Sequence, residues 1–253
     1  MSIRVLVVAG HDPSHGAGVD ADREAAWHFG VEAACIVTAR TDQDGVRVRS
    51  VGARPAREWL AEARAELVAA EEAPFGALKS GLLPDADAVR TLARLVDELP
   101  RAMPVVVDPV LAASGGEVFL DDAGIDALLA ELVPRGVILT PNLVEAARLA
   151  GVELERLERE RAAREAAART LLERGASAVL LKGGHAAGEE VADLVLERGL
   201  AARWLVHPRV PGRLHGSGCR FASAVAAQLA LGKELVPSTR EAGRWVTELL
   251  RQL

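Results

Sequence analysis

Ile3-Arg-Val-Leu-Val-Val-Ala-Gly-His-Asp-Pro-Ser-His-Gly-Ala-Gly18 begins as an apolar run, breaks into a loop rich in glycine and polar residues, and leads into a helical pattern from Val19 to Phe29. An apolar run as short as Ile3–Ala9 suits a strand buried on both faces. Strand, glycine-bearing loop and helix make the opening of a βα unit, with the loop at the carboxyl end of the strand. Glycines 10, 16 and 18 do not have the spacing of the dinucleotide fingerprint, so NAD binding is not expected.

Outward from this unit the same alternation continues. Strands are expected at Ala33–Thr38, Phe75–Lys79, Pro104–Val107, Val137–Leu139, Ala178–Leu181, Val191–Glu197 and Arg203–Val206, the last near a sheet edge. Helices are expected at Pro55–Glu72, Asp85–Glu98, Asp121–Leu132, from Asn142 onward, as one long charged segment over Leu154–Arg174, and at Phe221–Leu231 and Pro237–Leu253. Asp44-Gly45 reads as a turn. Such alternation predicts an α/β protein with three αβα layers and a mostly parallel, doubly wound sheet. No linker, repeat or charge segregation divides the chain, so residues 1–253 are read as a single domain.

Composition narrows the function. Half of the 253 residues are hydrophobic, only 3% are aromatic, and the net charge is −6. Scarce aromatics and acidic balance argue against a nucleic-acid partner. The two cysteines, Cys35 and Cys219, form neither a disulfide framework nor a zinc spacing. No signal peptide or membrane-length apolar run is present, and a soluble cytoplasmic protein is expected.

A second stretch carries chemistry: Pro211-Gly-Arg-Leu-His-Gly-Ser-Gly-Cys-Arg-Phe-Ala-Ser-Ala224, a glycine-rich turn running into an alanine-rich helix. Gly216 and Gly218 lack Cβ atoms, so backbone N–H groups can converge there, and the helix start adds positive potential. That is an anion site, phosphate above all. Equally, the glycines are compatible with a plain cap, with Ser217 as N-cap and Cys219 as core filler. On the anion reading, Cys219 sits at the pocket rim, where a thiol has a lowered pKa.

Polar residues gather in the other strand-end loops as well: Asp12 to Gly18, Gln43, Asp108, Asn142 to Glu145, and Lys182 to His185. In a doubly wound sheet these loops share one edge. An anion turn, carboxylates suited to Mg²⁺ and a lysine are the parts that phosphoryl transfer needs. Asp108 at a strand end and the Asn142/Glu145 pair also read as a turn cap and a capping box. Gln43 also suits a solvated loop. His11 and His15 fit no standard metal spacing, and His185 and His207 read as loop histidines.

Seven segments come in the order of one family: Ala9–Asp22, Val37–Gln43, Leu78–Leu82, Val107–Val110, Leu139–Glu145, Leu181–His185 and His215–Cys219. Across nearly the whole chain they resemble the hydroxymethylpyrimidine/phosphomethylpyrimidine kinases of thiamine biosynthesis, in the ribokinase-like superfamily. The resemblance implies ATP- and Mg²⁺-dependent phosphorylation of a small pyrimidine alcohol and then its monophosphate, by a homodimer. It implies that Gln43 bonds the pyrimidine ring, with Gly10, Asp12 and Gly18 beside the substrate and Leu82 and Val110 packing near it. Lys182, Asn142 and Asp108 would serve ATP, Glu145 the metal, and Gly216, Ser217 and Gly218 the anion hole. Cys219 stands where related enzymes carry a catalytic Asp, either as base or as a group that positions the alcohol.

Some positions depart from the family. His15 stands where Gly is usual, Arg40 and Asp42 flank Gln43, Leu82 replaces a frequent Met, and Arg220 replaces a common Thr. Arg220 is a candidate phosphate contact, and Asp42 a group that would reject an anionic substrate. Pyridoxal or pyridoxine kinase activity is the nearest alternative, and a non-catalytic pyrimidine-binding relative a second. The phosphate apparatus argues against the latter.

Overall fold

The computed structural model describes residues 3–43, 48–70, 73–113, 115–184 and 188–253, with Gln43 described in its backbone alone. The expected turn at Asp44-Gly45 and the loop residue His185 lie outside the described residues. Strand β1 (Arg4–His11) leads through the glycine loop to helix α1 (Gly18–His28), and β2 (Glu32–Gln43) to β3 (Val48–Ala53). Then come α2 (Ala56–Val68), β4 (Phe75–Ser80), α3 (Ala86–Glu98), β5 (Val105–Val107) and α4 (Asp122–Ala127), which runs on into a wider π turn over Leu128–Leu132. After β6 (Ile138–Leu139) follow α5 (Leu143–Ala150), α6 (Leu154–Arg159), α7 (Arg161–Glu173), β7 (Ala178–Leu181), β8 (Glu190–Glu197), β9 (Arg203–Pro208), α8 (Ser217–Ala230) and α9 (Leu235–Arg251).

All nine strands join one sheet in the order β3-β2-β1-β4-β5-β6-β7-β8-β9. The six from β2 to β7 are parallel, while β3, β8 and β9 pair antiparallel at the two edges. Alternate residues of each parallel strand enter different cores. Leu6, Val8, Leu78, Val107 and Leu139 pack under α2 to α7, whereas Val5, Val7, Ala77, Val106 and Ile138 pack against α1, α8 and α9. Period-two alternation with both faces apolar is what a sheet covered on both sides requires.

The helices show why they lie where they do. α3 begins on Asp85, whose carboxylate accepts the Ala88 N–H at 2.8 Å, and it buries Val89, Leu92, Ala93 and Leu95 at helical spacing. α8 is buried almost all round because its small side chains admit close neighbours. A Cβ on Gly76 of β4 would lie 2.7 Å from the Ala230 carbonyl oxygen, so strand and helix backbones nearly touch.

The structure departs from the sequence reading in a few places. β2 runs on to Gln43 and takes an unexpected partner in β3, whose largely exposed residues carry no apolar alternation. The segment expected as one helix over Leu154–Arg174 breaks at Glu160, whose backbone is extended at φ −119° and ψ 116°. Arg164 accounts for the break: it is buried and donates to the carbonyls of Leu157, Glu158 and Ala192, binding the end of α6 to β8. α8 starts at Ser217, four residues before the expected Phe221. No helix among the described residues is long and apolar enough to cross a membrane.

Candidate active site

The carboxyl ends of the parallel strands are stitched together by backbone bonds that continue past the strands. Gly81 donates to Val8 (3.0 Å), Asp108 to Ser80 (2.9 Å), Thr140 to Val107 (3.0 Å) and Lys182 to Pro141 (2.9 Å). These bonds place Gly10, Leu82, Asp108, Val110, Asn142 and Lys182 along one rim. β1 is flanked by β2 on one side and β4 on the other, so the chain changes direction there, and ligands bind in such a crevice. Gln43 ends β2 on the same rim, beyond the His11–Arg40 pairing.

α8 aims its first turn at this rim. Gly216 caps it in the left-handed conformation, φ +73°, and a Cβ there would lie 2.3 Å from the Gly16 carbonyl oxygen. Glycine is thus required both by backbone conformation and by close approach. Ser217 is the first helical residue and makes no side-chain cap, so the Ser217 N-cap alternative does not hold. A Cβ on Gly218 would lie 3.3 Å from Lys182 Nζ and 3.6 Å from Asp108 Oδ2, so the helix start, the lysine and the carboxylate converge.

Lys182 Nζ donates to Asp108 Oδ1 at 2.9 Å, and Thr140 Oγ1 donates to the same oxygen at 3.2 Å. Burial disfavours the Lys182 charge, but Asp108 and Glu145 outweigh it and hold its pKa above the ordinary lysine range. Asn142 and Glu145 form a true capping box: Glu145 N–H donates to Asn142 Oδ1 at 2.9 Å, and Asn142 N–H to Glu145 Oε2 at 2.8 Å. Burial pushes the Glu145 carboxyl up to about 7, Asp108 adding to the shift and Lys182 opposing it.

The β1–α1 loop is positioned from the other side. Asp12 is buried, its Oδ1 accepting the Ser14 N–H at 2.8 Å and its Oδ2 lying 2.6 Å from His215 Nε2. Burial alone would raise its pKa, but these bonds outweigh that and lower it. Asp12 therefore ties the loop to the turn before α8. Arg220 does the same: its guanidinium donates to Glu24 (2.9 Å), to the Gly16 carbonyl (2.7 Å) and to the His215 carbonyl (2.8 Å). Gly18, at φ +62°, would bring a Cβ within 2.2 Å of the Gly10 oxygen. Gly10 faces Leu82, whose carbonyl accepts from Thr38 Oγ1 at 2.6 Å. Asp42 is exposed and lies 3.5 Å from Arg49 Nη1.

Cys219 corrects the expectation of a lowered pKa. Burial pushes its thiol up to about 11, and Asp22 and Asp108 act in the same direction against Lys79. The helix start and lysine are present, but two carboxylates and the loss of water outweigh them.

Behind Cys219 stands a group the sequence reading did not single out. Lys79 and Asp22, both fully buried, pair at 2.6 Å, and Ser223 Oγ donates to the same Asp22 oxygen at 2.8 Å. Burial works against the Lys79 charge, and Asp22, Cys219 and Asp108 outweigh it, raising its pKa. A Cβ on Gly81 would lie 2.9 Å from Lys79 Nζ. A lysine within an apolar strand and an aspartate four residues into a helix were the available signals.

Lys79→Met leaves Asp22 buried without its cation and is expected to cost about 3–5 kcal/mol in urea denaturation. A loss below about 1 kcal/mol would contradict a buried ion pair. For Glu145 the sign is set by a folded pKa of about 7 against 4.5 when free. The folded state holds the extra proton between those values, so stability falls as pH rises through that window. Glu145→Gln is expected to flatten that fall in the urea midpoint, and parallel profiles for variant and parent would refute it.

Residues 12–253 match the family described as phosphomethylpyrimidine kinase. The chain is 36% identical over 252 residues to the hydroxymethylpyrimidine/phosphomethylpyrimidine kinase of Streptomyces coelicolor, covering 96% of this chain and 87% of that protein. It is 36% identical over 249 residues to the thiamine biosynthesis bifunctional protein ThiED of Geobacter sulfurreducens, covering 98% of this chain and spanning 49% of that longer protein. The solved pyridoxal kinase of Staphylococcus aureus with ADP superposes with a TM-score of 0.86 at 28% identity, over 97% of this chain and 87% of that one. The solved phosphomethylpyrimidine kinase of Clostridium difficile superposes with a TM-score of 0.78 at 26% identity, over 98% of this chain and 100% of that one. The architecture is ribokinase-like, and the chain belongs to the phosphomethylpyrimidine kinase family of phosphotransferases.

Proposed function

We propose that this chain uses ATP to phosphorylate hydroxymethylpyrimidine and then its monophosphate. The observation that carries the reading is the meeting of the α8 start, Lys182 and Asp108 at Gly218, beside the Gly10–Leu82 crevice. The N–H groups of the first turn and the helix dipole supply positive potential where charge develops on the transferred group. Lys182 adds a fixed cation, held protonated by its carboxylate neighbours. The substrate ring would lie between Gly10, Leu82 and Val110, with Gln43, Asp12 and Gly18 bordering it, and its hydroxyl would face Cys219.

The donor set suits Mg²⁺, which takes one or two carboxylates and completes its shell with water and phosphate oxygens. Asp108 and Glu145 would hold it, and a cation there would offset the burial that, with a lesser contribution from Asp108, disfavours the Glu145 charge. Bound there, the ion screens phosphate charge. Asn142 orients Glu145 through the capping box and, with Asp108 and Lys182, would face ATP. Gly216, Ser217 and Gly218 shape the anion turn.

With its pKa raised to about 11, the Cys219 thiol is neutral at ordinary pH. It positions the alcohol rather than waiting as a thiolate, and loose phosphoryl transfer needs little base strength. We take the enzyme to be a cytoplasmic homodimer: the unpaired Cys35 and Cys219 support a reducing compartment, and the family resemblance supports the pairing. Pyridoxal kinase activity is the second reading, favoured by the fit to Staphylococcus aureus pyridoxal kinase structures, one of them in complex with pyridoxal.

A coupled assay with ATP and Mg²⁺ on hydroxymethylpyrimidine, its monophosphate and pyridoxal separates the readings. Turnover of the first two is expected, and turnover of pyridoxal alone would replace the proposal with the second reading. Cys219→Ala is expected to lower kcat about tenfold, below the roughly 10²–10⁴-fold that loss of a general base brings. Unchanged kcat with unchanged pyrimidine KM would remove Cys219 from the site.

A further inference from the structure

The β1–α1 loop also gathers three groups that phosphoryl transfer does not use. His11 ends β1, His15 lies in the turn that follows, and Asp20 stands in the first turn of α1. Asp20 Oδ2 is 2.8 Å from His15 Nδ1 and 3.6 Å from His11 Nε2. The three ligand atoms all lie within 4.8 Å of one another, the only such group of histidine, cysteine and carboxylate side chains among the described residues. The two imidazoles are 6.0 Å apart and nearly perpendicular.

We propose that His11, His15 and Asp20 form a binding site for one divalent transition-metal ion of the zinc class. Ligands about 2.0–2.1 Å from a tetrahedral ion stand roughly 3.3 Å apart, and the separations of 2.8 Å and 3.6 Å from Asp20 bracket that value. Two imidazoles with one carboxylate suit Zn²⁺, Co²⁺ or Ni²⁺, whereas Mg²⁺ prefers an all-oxygen shell, so this site is distinct from one serving ATP. Side-chain exposures of 27%, 73% and 23% leave an entry path and a free coordination position. His15 is the only non-glycine residue with positive φ among the described residues, at 60°, and that conformation brings its ring to Asp20. The sequence spacing of His11 and His15 gave no metal signal because the third ligand comes from a helix turn beyond the loop. A bound ion would cross-link β1 to α1 over the segment that carries Asp12, stabilising the folded state by linkage.

The test uses the full chain stripped with EDTA and titrated with ZnCl₂ and with CoCl₂. One equivalent should bind by calorimetry, Co²⁺ should develop a visible ligand-field band without a thiolate charge-transfer band, and the melting temperature should rise. His15→Gly, at an exposed position whose backbone glycine accepts readily, and His11→Ser should each weaken binding at least tenfold. Absence of stoichiometric binding, a thiolate band pointing to Cys35 or Cys219, or undiminished affinity in the folded His15→Gly variant would each overturn the site.

Discussion

The contact on which the site depends is the ion pair between Lys79 and Asp22, sealed from water at 2.6 Å and extended by Ser223. It joins β4, α1 and α8, the three elements that meet where the sheet changes direction. Desolvating two charges is costly, and a buried pair is weak evidence for stability compared with a well-packed apolar core. What it supplies is geometry. A charge-assisted bond has one good arrangement, so Asp22 is held fixed between β4 and α1, and α8 cannot slide along the sheet without giving up the Ser223 bond to it. Because the glycine turn leads directly into α8, that restraint sets where the helix start points.

Around this pair lie two further restraints of different chemistry. Arg220 clamps α8 to the loop at Gly16, and His215 holds Asp12. Gly16, Gly18 and Gly216 let the loop and the helix start approach until a single Cβ would collide with a backbone oxygen or a side chain. The polar bonds therefore work at distances that only glycine permits. Arg220 and His215 thus bind the loop to the helix start, and Lys182 is the cation that the proposed function assigns to the phosphate.

The electrostatics of the rim are those of a site prepared for more charge. The buried charges there answer to two opposed causes: loss of water raises the Asp22 and Glu145 carboxyls, while for Lys79 and Lys182 the carboxylate neighbours outweigh burial and keep the ammonium charged. Cys219 shows why a residue's role is not read from its nearest structural feature. A helix start favours a thiolate, yet burial and two carboxylates favour the thiol, and these win. Phosphoryl transfer tolerates that result because its transition state rests on positioning and charge compensation.

Much of this protein was legible in one dimension. Strands such as Ile3–Ala9 and Ala178–Leu181 announce themselves because burial on both faces demands unbroken apolar runs, and the glycines of the Gly216–Gly218 turn because backbone must come close. The alternation of such runs with helices suffices for a three-layer sheet, and seven ordered motifs suffice for the family. The exposed strand β3, the break at Glu160 and the start of α8 at Ser217 were not legible, since tertiary partners rather than local pattern decide them. The pairing of Lys79 with Asp22, the capture of Arg220 by Glu24, and the meeting of His11 and His15 with Asp20 belong to the folded chain alone. A sequence records which groups are present and their local spacing, but desolvation and charge pairing act across space, and those are what raise the Cys219 thiol pKa where a helix start alone would lower it, and what give Arg220 its partners across the loop.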